Sequence, residues 1–320
     1  EEWRRGWDPE SIKPKKTDQK VLVVGSGPSG LECTLQLARR GYHVTLAEAD
    51  NKLGGRVIFE AGLKGLSAWK RVADNRLYEI QQKNNIEIYK ESELTFSHIN
   101  ELGINNIFLA TGSSWRKDGV GRSRRKPIQG MESLNVLTPE EAIKDSKNLK
   151  GPVVVYDDEQ GYLGGVVADH LSSDHHEVIF ITPAGIVSPW TESTLEQKRV
   201  QKSLLLNGVN IICNKSIDKA EGQSLNLQCV FTGEITHVKC SAIVMVTERI
   251  PNTTLYDQLI EQNNSIEGGK RKHIQLIGDA ESPGLIADAV FLGHLAAQNF
   301  EEPEQEIQKA MFMREMPSLK

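Results

Sequence analysis

The sequence predicts an α/β protein of two three-layer domains, the second inserted in the first. Three observations predict it. An apolar strand, a glycine turn and a helix follow one another over residues 20–41, and a second strand follows at 43–49. The same order begins again at 151–173, with its next strand at 177–185. A last strand, turn and helix at 273–300 have no place in the second unit and complete the first. Repeated β-α-β order is the mark of doubly wound parallel sheets.

Taken in order, residues 1–18 are polar, carry Pro9 and Pro14, and read as a tail or linker. "KVLVV" (20–24) is a buried strand, and Leu31, Leu35 and Ala38 recur at helical spacing after it. Gly41 stops that helix as a C-cap, and "HVTLAEA" (43–49) is the second strand. Residues 65–85 read as one long amphipathic helix and 86–90 as a short strand. "NNIFLATGSS" (105–114) is a strand entering a glycine turn. Thr138 caps a helix over 138–145, with Pro139 in its first turn. In the second unit, strands are expected at 152–158 and 177–185, and helices at 164–173 and 194–208. Residues 209–221, 224–231 and 236–247 each read as one strand. The expected division is 19–148 plus 249–320 for the first domain and 149–248 for the second.

Composition narrows the function classes. The 320 residues carry a net charge of −5, with 38% hydrophobic and 25% charged residues. That balance gives no reason to expect nucleic acid or an anionic membrane as partner. No apolar run approaches the ~18 residues of a membrane span. The basic run "GRSRRKP" (121–127) reads as a solvated loop. Cys33, Cys213, Cys229 and Cys240 are scattered, with neither metal nor redox spacing, and point to reduced thiols in a cytoplasmic protein. The start, "EEWRRGWDPE", has no Met and no signal pattern, and reads as the middle of a longer chain.

Chemistry enters at "GSGPSG". Gly25, Gly27 and Gly30 form G-x-G-x-x-G directly between a strand and a helix, and Glu48 ends the next strand. Gly25 permits the tight turn, Gly27 lets the backbone approach a pyrophosphate, and Gly30 lets the helix pack on the sheet. The helix N-terminus offers free N–H groups and partial positive charge to phosphates. A carboxylate at Glu48 can accept the ribose hydroxyls of an adenosine and repels a 2′-phosphate. The two units are therefore Rossmann-like, of the FAD/NAD(P)-binding type. "KLGGRV" (52–57), "LATGS" (109–113) and "LIGDA" (276–280) add a flavin-type pattern, with Asp279 able to bind a ribitol or ribose hydroxyl. The expected nucleotide-binding set is Gly25, Gly27, Pro28, Ser29, Gly30, Glu48, Ala49, Gly55, Arg56, Val57, Ala110, Thr111, Gly112, Trp115, Gly278 and Asp279. Trp115 is expected to wall the pocket or to be core.

The second unit breaks the pattern. Aligned without gaps on the first, "VVVYDDEQGYLGG" (153–165) puts Asp157 at Gly25, Glu159 at Gly27 and Tyr162 at Gly30. Each carboxylate–phosphate pair at ~5 Å costs about 1 kcal/mol in water and more in a drier cleft. The expectation is a nicotinamide fold without its nicotinamide, so NAD(P) is not expected. Two alternatives stay open: an NAD site slid to "GYLGG" (161–165), and a divalent metal on Asp157, Asp158 and Glu159. The acids themselves read as solvated. Cys33 lacks the neighbouring cysteine of a thiol–disulfide reductase and reads as packing.

"EEWRRGWDPE", "GSGPSG", "LGGRV", "ATGSSW", "LTPEEA", "GDAESPGLIADAVFLGH" and the late "REM" together resemble the C-terminal half of the trimethylamine dehydrogenase family. That family includes histamine dehydrogenase and demethylases of N-methylated amines, with 2,4-dienoyl-CoA reductase a cousin. The resemblance implies an oxidoreductase whose FMN-carrying TIM barrel and 4Fe-4S site precede a region like this one. Substrate oxidation would then occur outside these residues, so no catalytic residue and no metal ligand is assigned. It implies FAD, or alternatively ADP alone, on the first unit. It also implies electron transfer to an electron-transfer flavoprotein, and a homo-oligomer. Two other readings stand beside it: an NAD(P)H-dependent flavin reductase of the 2,4-dienoyl-CoA reductase type, and a structural nucleotide-binding docking module.

Overall fold

Strand β1 (Lys20–Val24) sends Val21 and Val23 to one face and Leu22 and Val24 to the other, and all four are buried. That two-sided burial is why the strand reads as a continuous apolar run rather than an alternating one. A computed structural model describes residues 12–174, 176–266, 271–305 and 307. Most of the N-terminal linker, including "EEWRRGWDPE", and the late "REM" lie outside the described residues.

After β1 come α1 (Pro28–Arg39), β2 (His43–Ala47), α2 (Arg56–Glu60), α3 (Arg71–Gln81), β3 (Ile86–Tyr89), α4 (Phe96–Leu102), β4 (Asn106–Leu109) and β5 (Ser113–Trp115). The chain continues through β6 (Asn135–Leu137), α5 (Pro139–Lys144), β7 (Val153–Asp157), α6 (Leu163–Ser173), β8 (Val178–Ile181) and α7 (Gln197–Leu206). Four strands follow: β9 (Asn210–Ile212), β10 (Lys215–Glu221), β11 (Ser224–Cys229) and β12 (Ile235–Lys239). The last elements are β13 (Ala242–Val246), β14 (Arg249–Pro251), α8 (Thr254–Ser265), β15 (His273–Leu276) and α9 (Ile286–Asn299).

These elements form two compact units: residues 1–62, 66–113 and 251–320, and residues 63–65 with 114–250. The first is split by the second in sequence. The boundary falls at 113/114, ahead of the expected 148/149. The reason is β6, which pairs parallel with β13 at the edge of the second sheet.

The first unit is a parallel sheet in the order β15-β4-β1-β2-β3. One face packs on α1, α3 and α9 through Leu31, Leu35, Ala73, Ile80, Ala297 and Phe300. The other packs on α4 and α8 through Ile99 and Leu259. Across the first face runs a buried ion network. Glu32 accepts from Arg76 Nε (2.6 Å), Gln36 Nε2 (2.8 Å) and His294 Nδ1 (3.0 Å), which joins α1, α3 and α9. Arg40, 2% exposed, donates to the carbonyls of Ala297, Phe300 (3.0 Å) and Lys13 (3.0 Å) and so ties the end of α9 to the N-terminal strand entry.

The second unit has a parallel sheet in the order β6-β13-β7-β8-β9 and an antiparallel sheet β10-β11-β12. The antiparallel sheet covers one face through Ile217, Leu225 and Leu227, where the first unit has helices. α5, α6 and α7 cluster together, and α6 packs on β7 and β8.

Several expected elements differ. The helix at 65–85 begins later, as a 3-10 turn at Ser67–Lys70 and then α3, because Gly65 has a left-handed φ of 85°. The strand at 209–221 divides into β9 and β10 at Asn214 (φ 59°), and the strand at 236–247 divides into β12 and β13, which join different sheets. α2, α4 and α8 are additional helices. No helix of the described residues is long and apolar enough to cross a membrane.

Candidate functional site

The C-terminal ends of β1, β2 and β4 bring most of the expected residues of the first unit together. Gly25 leaves β1 with φ 98° and donates its N–H to Ala47 O at 2.8 Å. A Cβ there would lie 2.3 Å from Ala110 O, so only glycine lets the turn nest against β4. Gly27 is the N-cap of α1, with extended backbone and no side-chain cap, and Pro28 holds the first helical position. Space around Gly27 is open: a Cβ would meet nothing within 4 Å. A Cβ on Gly30 would lie 1.9 Å from Gly25 O, so this glycine sets the approach of α1 to the turn. The Ser29 hydroxyl, buried in the first turn, has no hydrogen-bond partner.

Glu48 is oriented by its neighbours. One carboxylate oxygen accepts from the Ser26 N–H at 2.7 Å and from its hydroxyl at 2.5 Å, and the other from the Asp50 N–H at 2.9 Å. Ala49 is exposed beside it. The loop before α2 folds back on the glycine turn: Gly54 N–H donates to Ser26 O at 3.0 Å, and Gly55 (φ 58°) would place a Cβ 2.9 Å from the Gly27 Cα. Val57 is buried in the core beneath.

Arg56, Ser113 and Asp279 form a polar cluster. Arg56 Nη2 donates to Ser113 Oγ (2.9 Å) and to Asp279 Oδ2 (3.1 Å), while Ser113 Oγ also donates to Oδ2 (3.1 Å). The other Asp279 oxygen accepts from the Gly284 N–H at 3.1 Å. Gly278 (φ 63°) lies against Ser29. Ala110 N–H donates to Val24 O at 2.7 Å. Thr111 and Gly112 are tied to Asn252: Thr111 Oγ1 donates to its carbonyl at 2.7 Å, and the Asn252 N–H donates to Gly112 O at 2.9 Å. Trp115 belongs to the second unit, where it is 8% exposed with the Arg249 guanidinium 5.4 Å from its ring.

Sequence reasoning did not single out Ser26, Ser113 or Asn252. Ser26 and Ser113 lie inside quoted motifs, but their roles depend on partners 22 and 166 residues away. Nothing near Asn252 announces its bridge.

In the second unit the gapless equivalence fails. The turn between β7 and α6 spans 158–162, two residues longer than 25–27 between β1 and α1. Asp157 therefore ends its strand as Val24 does, and by helix position Tyr162 corresponds to Gly27 and Gly165 to Gly30. Nor are the acids solvated. Asp157 and Asp158 are 0% exposed. The basic run is their partner: Ser123 donates its N–H (2.8 Å) and hydroxyl (2.7 Å) to Asp158, and Arg122 Nε donates to Glu159 O at 3.2 Å. A Cβ on Gly121 would lie 2.6 Å from Asp158 Oδ2, so this strap sits directly on the strand end.

Asp157 accepts from the Gln160 N–H at 2.8 Å through one oxygen, while the other has no partner. Burial, reinforced by the charge of Glu159, pushes its carboxyl well above the usual range. Among the described residues no group of three or more His, Cys, Asp or Glu is arranged to hold a metal. All four cysteines are free.

The sequence profile of the pyridine nucleotide-disulphide oxidoreductases matches residues 19–290, with a further match at 8–61. The chain is 31% identical to dimethylamine dehydrogenase of Hyphomicrobium sp. (strain x), over 97% of this chain and 45% of that protein. Among solved structures, histamine dehydrogenase from Rhizobium sp. 4-9 superposes with a TM-score of 0.90 at 40% identity, covering 95% of this chain and 47% of that one. The 6-hydroxypseudooxynicotine amine oxidase of Pseudomonas geniculata N1 gives 0.87 at 35%, covering 94% and 44%. The chain thus spans about half the length of the relatives it matches. T. acidophilum thioredoxin reductase shares the fold, with a TM-score of 0.56 at 16% identity over 92% of this chain and all of that one.

Proposed function

The chain belongs to the pyridine nucleotide-disulphide oxidoreductase family, and from that premise we propose that its first unit binds an adenine nucleotide within a larger flavin-dependent amine dehydrogenase or demethylase. The observation that carries the nucleotide is the open cradle at Gly27. There an uncapped helix N-terminus, the orphaned Ser29 hydroxyl and a pre-oriented Glu48 converge on one turn.

Each residue has a physical part. The free N–H groups of the first turn of α1 receive the pyrophosphate, and the Ser29 hydroxyl adds a donor. Glu48 accepts ribose hydroxyls, its geometry fixed by Ser26 and Asp50. Arg56 balances phosphate charge. Gly25 and Gly30 hold the turn close enough to the sheet for this to happen. FAD is the ligand we favour, and when bound it supplies electron-transfer chemistry. ADP alone is the second reading, favoured by Asp279: Arg56, Ser113 and Gly284 already engage both its oxygens, which leaves less capacity for a ribitol chain.

The likeness to dimethylamine and histamine dehydrogenases supports amine oxidation as the activity of the whole enzyme. On this reading an FMN barrel with a 4Fe-4S site, in the same chain or a separate one, oxidises the amine. An electron-transfer flavoprotein takes the electrons. NAD(P) is not used. Asp157, Asp158 and the strap at 121–124 support that last point and oppose an NAD(P)H-dependent flavin reductase.

The test is to denature the purified protein and identify the released molecule by chromatography. FAD or ADP supports the reading. A protein that releases neither, and binds neither at saturating concentration, refutes it.

A further inference from the structure

We propose that α7 of the second unit is a two-fold interface between two copies of this chain. The helix divides sharply. Val200 and Leu204 are buried, whereas Leu205 and Leu206 on its last turn are 60% and 76% exposed. They belong to a groove of about 580 Å³ whose other apolar wall is Ile186. Gln197 Nε2 donates to Val187 O at 3.1 Å, which fixes the Ile186 segment at the opposite, N-terminal end of the helix. One groove therefore has an apolar residue at one end and two leucines at the other.

Its charges are arranged in the same sense. Glu192 lies with Ile186 before the helix, and Lys202 lies one turn from Leu206. Neither charged end has a hydrogen-bond or salt-bridge partner among the described residues. Just before the helix, Leu195 is 90% exposed with a left-handed φ of 63°, a conformation leucine rarely takes without a compensating contact.

A two-fold axis across α7 sets two such helices antiparallel. Leu205 and Leu206 of one copy then meet Ile186 of the other, and Glu192 of one copy meets Lys202 of the other. Self-complementarity of this kind is what an isologous contact requires. A partner carrying charge of one sign would leave one end of the groove mismatched. An exposed apolar groove rimmed by unpaired charge is a recognised mark of an interaction surface.

Sedimentation equilibrium of the full chain tests this. The wild type is expected to form a concentration-dependent dimer. Leu206→Lys acts twice in a symmetric dimer and should raise the dissociation constant about 100-fold or more. Lys202→Glu should weaken the dimer, and Glu192→Lys combined with Lys202→Glu should restore it. Residues 192, 202 and 206 are exposed, so circular dichroism and melting should match the wild type in every variant. A chain that stays monomeric at all concentrations overturns the proposal. So does a dimer indifferent to Leu206→Lys, or a charge swap that fails to rescue.

Discussion

Gly27→Ala separates a glycine kept for a ligand from one kept for the fold. Gly27 has φ −62° and ψ 177°, which alanine adopts freely, and a Cβ there meets nothing within 4 Å. The empty protein should therefore keep its stability to within about 1 kcal/mol, the loss of a tolerable N-cap being offset by a less flexible unfolded chain. Gly30→Ala is the control. Its Cβ would lie 1.9 Å from Gly25 O, so α1 or the turn must move, at a cost of about 1–3 kcal/mol. With nucleotide the order reverses. At a concentration 100 times the dissociation constant, ligand adds about 2.7 kcal/mol to the wild type. If the alanine methyl in the cradle weakens binding about 100-fold, that gain falls to about 0.4 kcal/mol. The difference is roughly 5–9 °C in melting temperature for a unit of this size. Thermal melts of nucleotide-stripped protein, with and without ADP and FAD, measure all of these. A Gly27→Ala protein that keeps the full ligand-induced shift refutes the placement of the phosphates. A Gly30→Ala protein that melts like the wild type refutes the packing argument.

Other predictions concern proton and thiol chemistry. Burial alone would raise the carboxyl of Glu32, but the His294 hydrogen bond, the Arg76 charge and the Gln36 hydrogen bond overcome it and hold it at about 2. Its stabilisation is therefore present above pH ~4.5 and lost as the pH falls toward ~2, by up to about 3 kcal/mol. The stability difference between wild type and Glu32→Gln, from urea unfolding at pH 3 and 6, should shrink at pH 3; a constant difference would contradict this. Asp157 behaves in the opposite sense. Its raised folded value means stability is greatest below the unfolded carboxyl range and is lost as pH rises through the folded value. Asp157→Asn should be about 1–3 kcal/mol more stable than wild type at pH 8, with a smaller gain at pH 5. Finding the variant less stable at pH 8 would sink the assignment. Hydrogen bonds from the Thr232 hydroxyl and N–H and the Phe231 N–H bring the Cys229 thiol down to about 7, whereas burial pushes Cys240 up to about 11 and raises Cys33. With iodoacetamide at pH 7.5, Cys229 should be alkylated first, and Thr232→Val should slow it about tenfold. Peptide mass spectrometry showing Cys33 or Cys240 labelled earlier would overturn this.

The first β-α-β unit was legible because both its strand faces are buried and its turn is glycine, so hydropathy and motif agree. The split between β12 and β13 was not. Cys240 and Ser241 carry no turn signal, yet the chain changes sheets there. α8 was missed because its buried side is narrow: only Leu259 and Asn263 are buried in a largely polar run. The glycine turn and Glu48 were readable from local spacing. The cluster of Arg56, Ser113 and Asp279 was readable only as separate fragments, since its hydrogen bonds cross 57 and 223 residues of chain. The buried acids were misread for the same reason. Carboxylates at a strand end look solvated until the loop 35 residues upstream that covers them is seen. Loop length leaves no periodic trace, so a turn lengthened by two residues defeated the gapless alignment.

The split of the first unit has a consequence for how the chain is made. β4 must wait for β15, and α1 for α9, until the whole of residues 114–250 has been synthesised. At ~5–20 residues per second that delay is roughly 7–30 s, longer than the folding time of most single domains. During it, the free edge of β4 and the apolar side of α1 are open to water, while the later-encoded unit can already close. On the ribosome the chain should therefore fold from its middle outward. A slow-translating stretch within residues 251–300 would prolong the aggregation-prone interval more than one anywhere in residues 20–113.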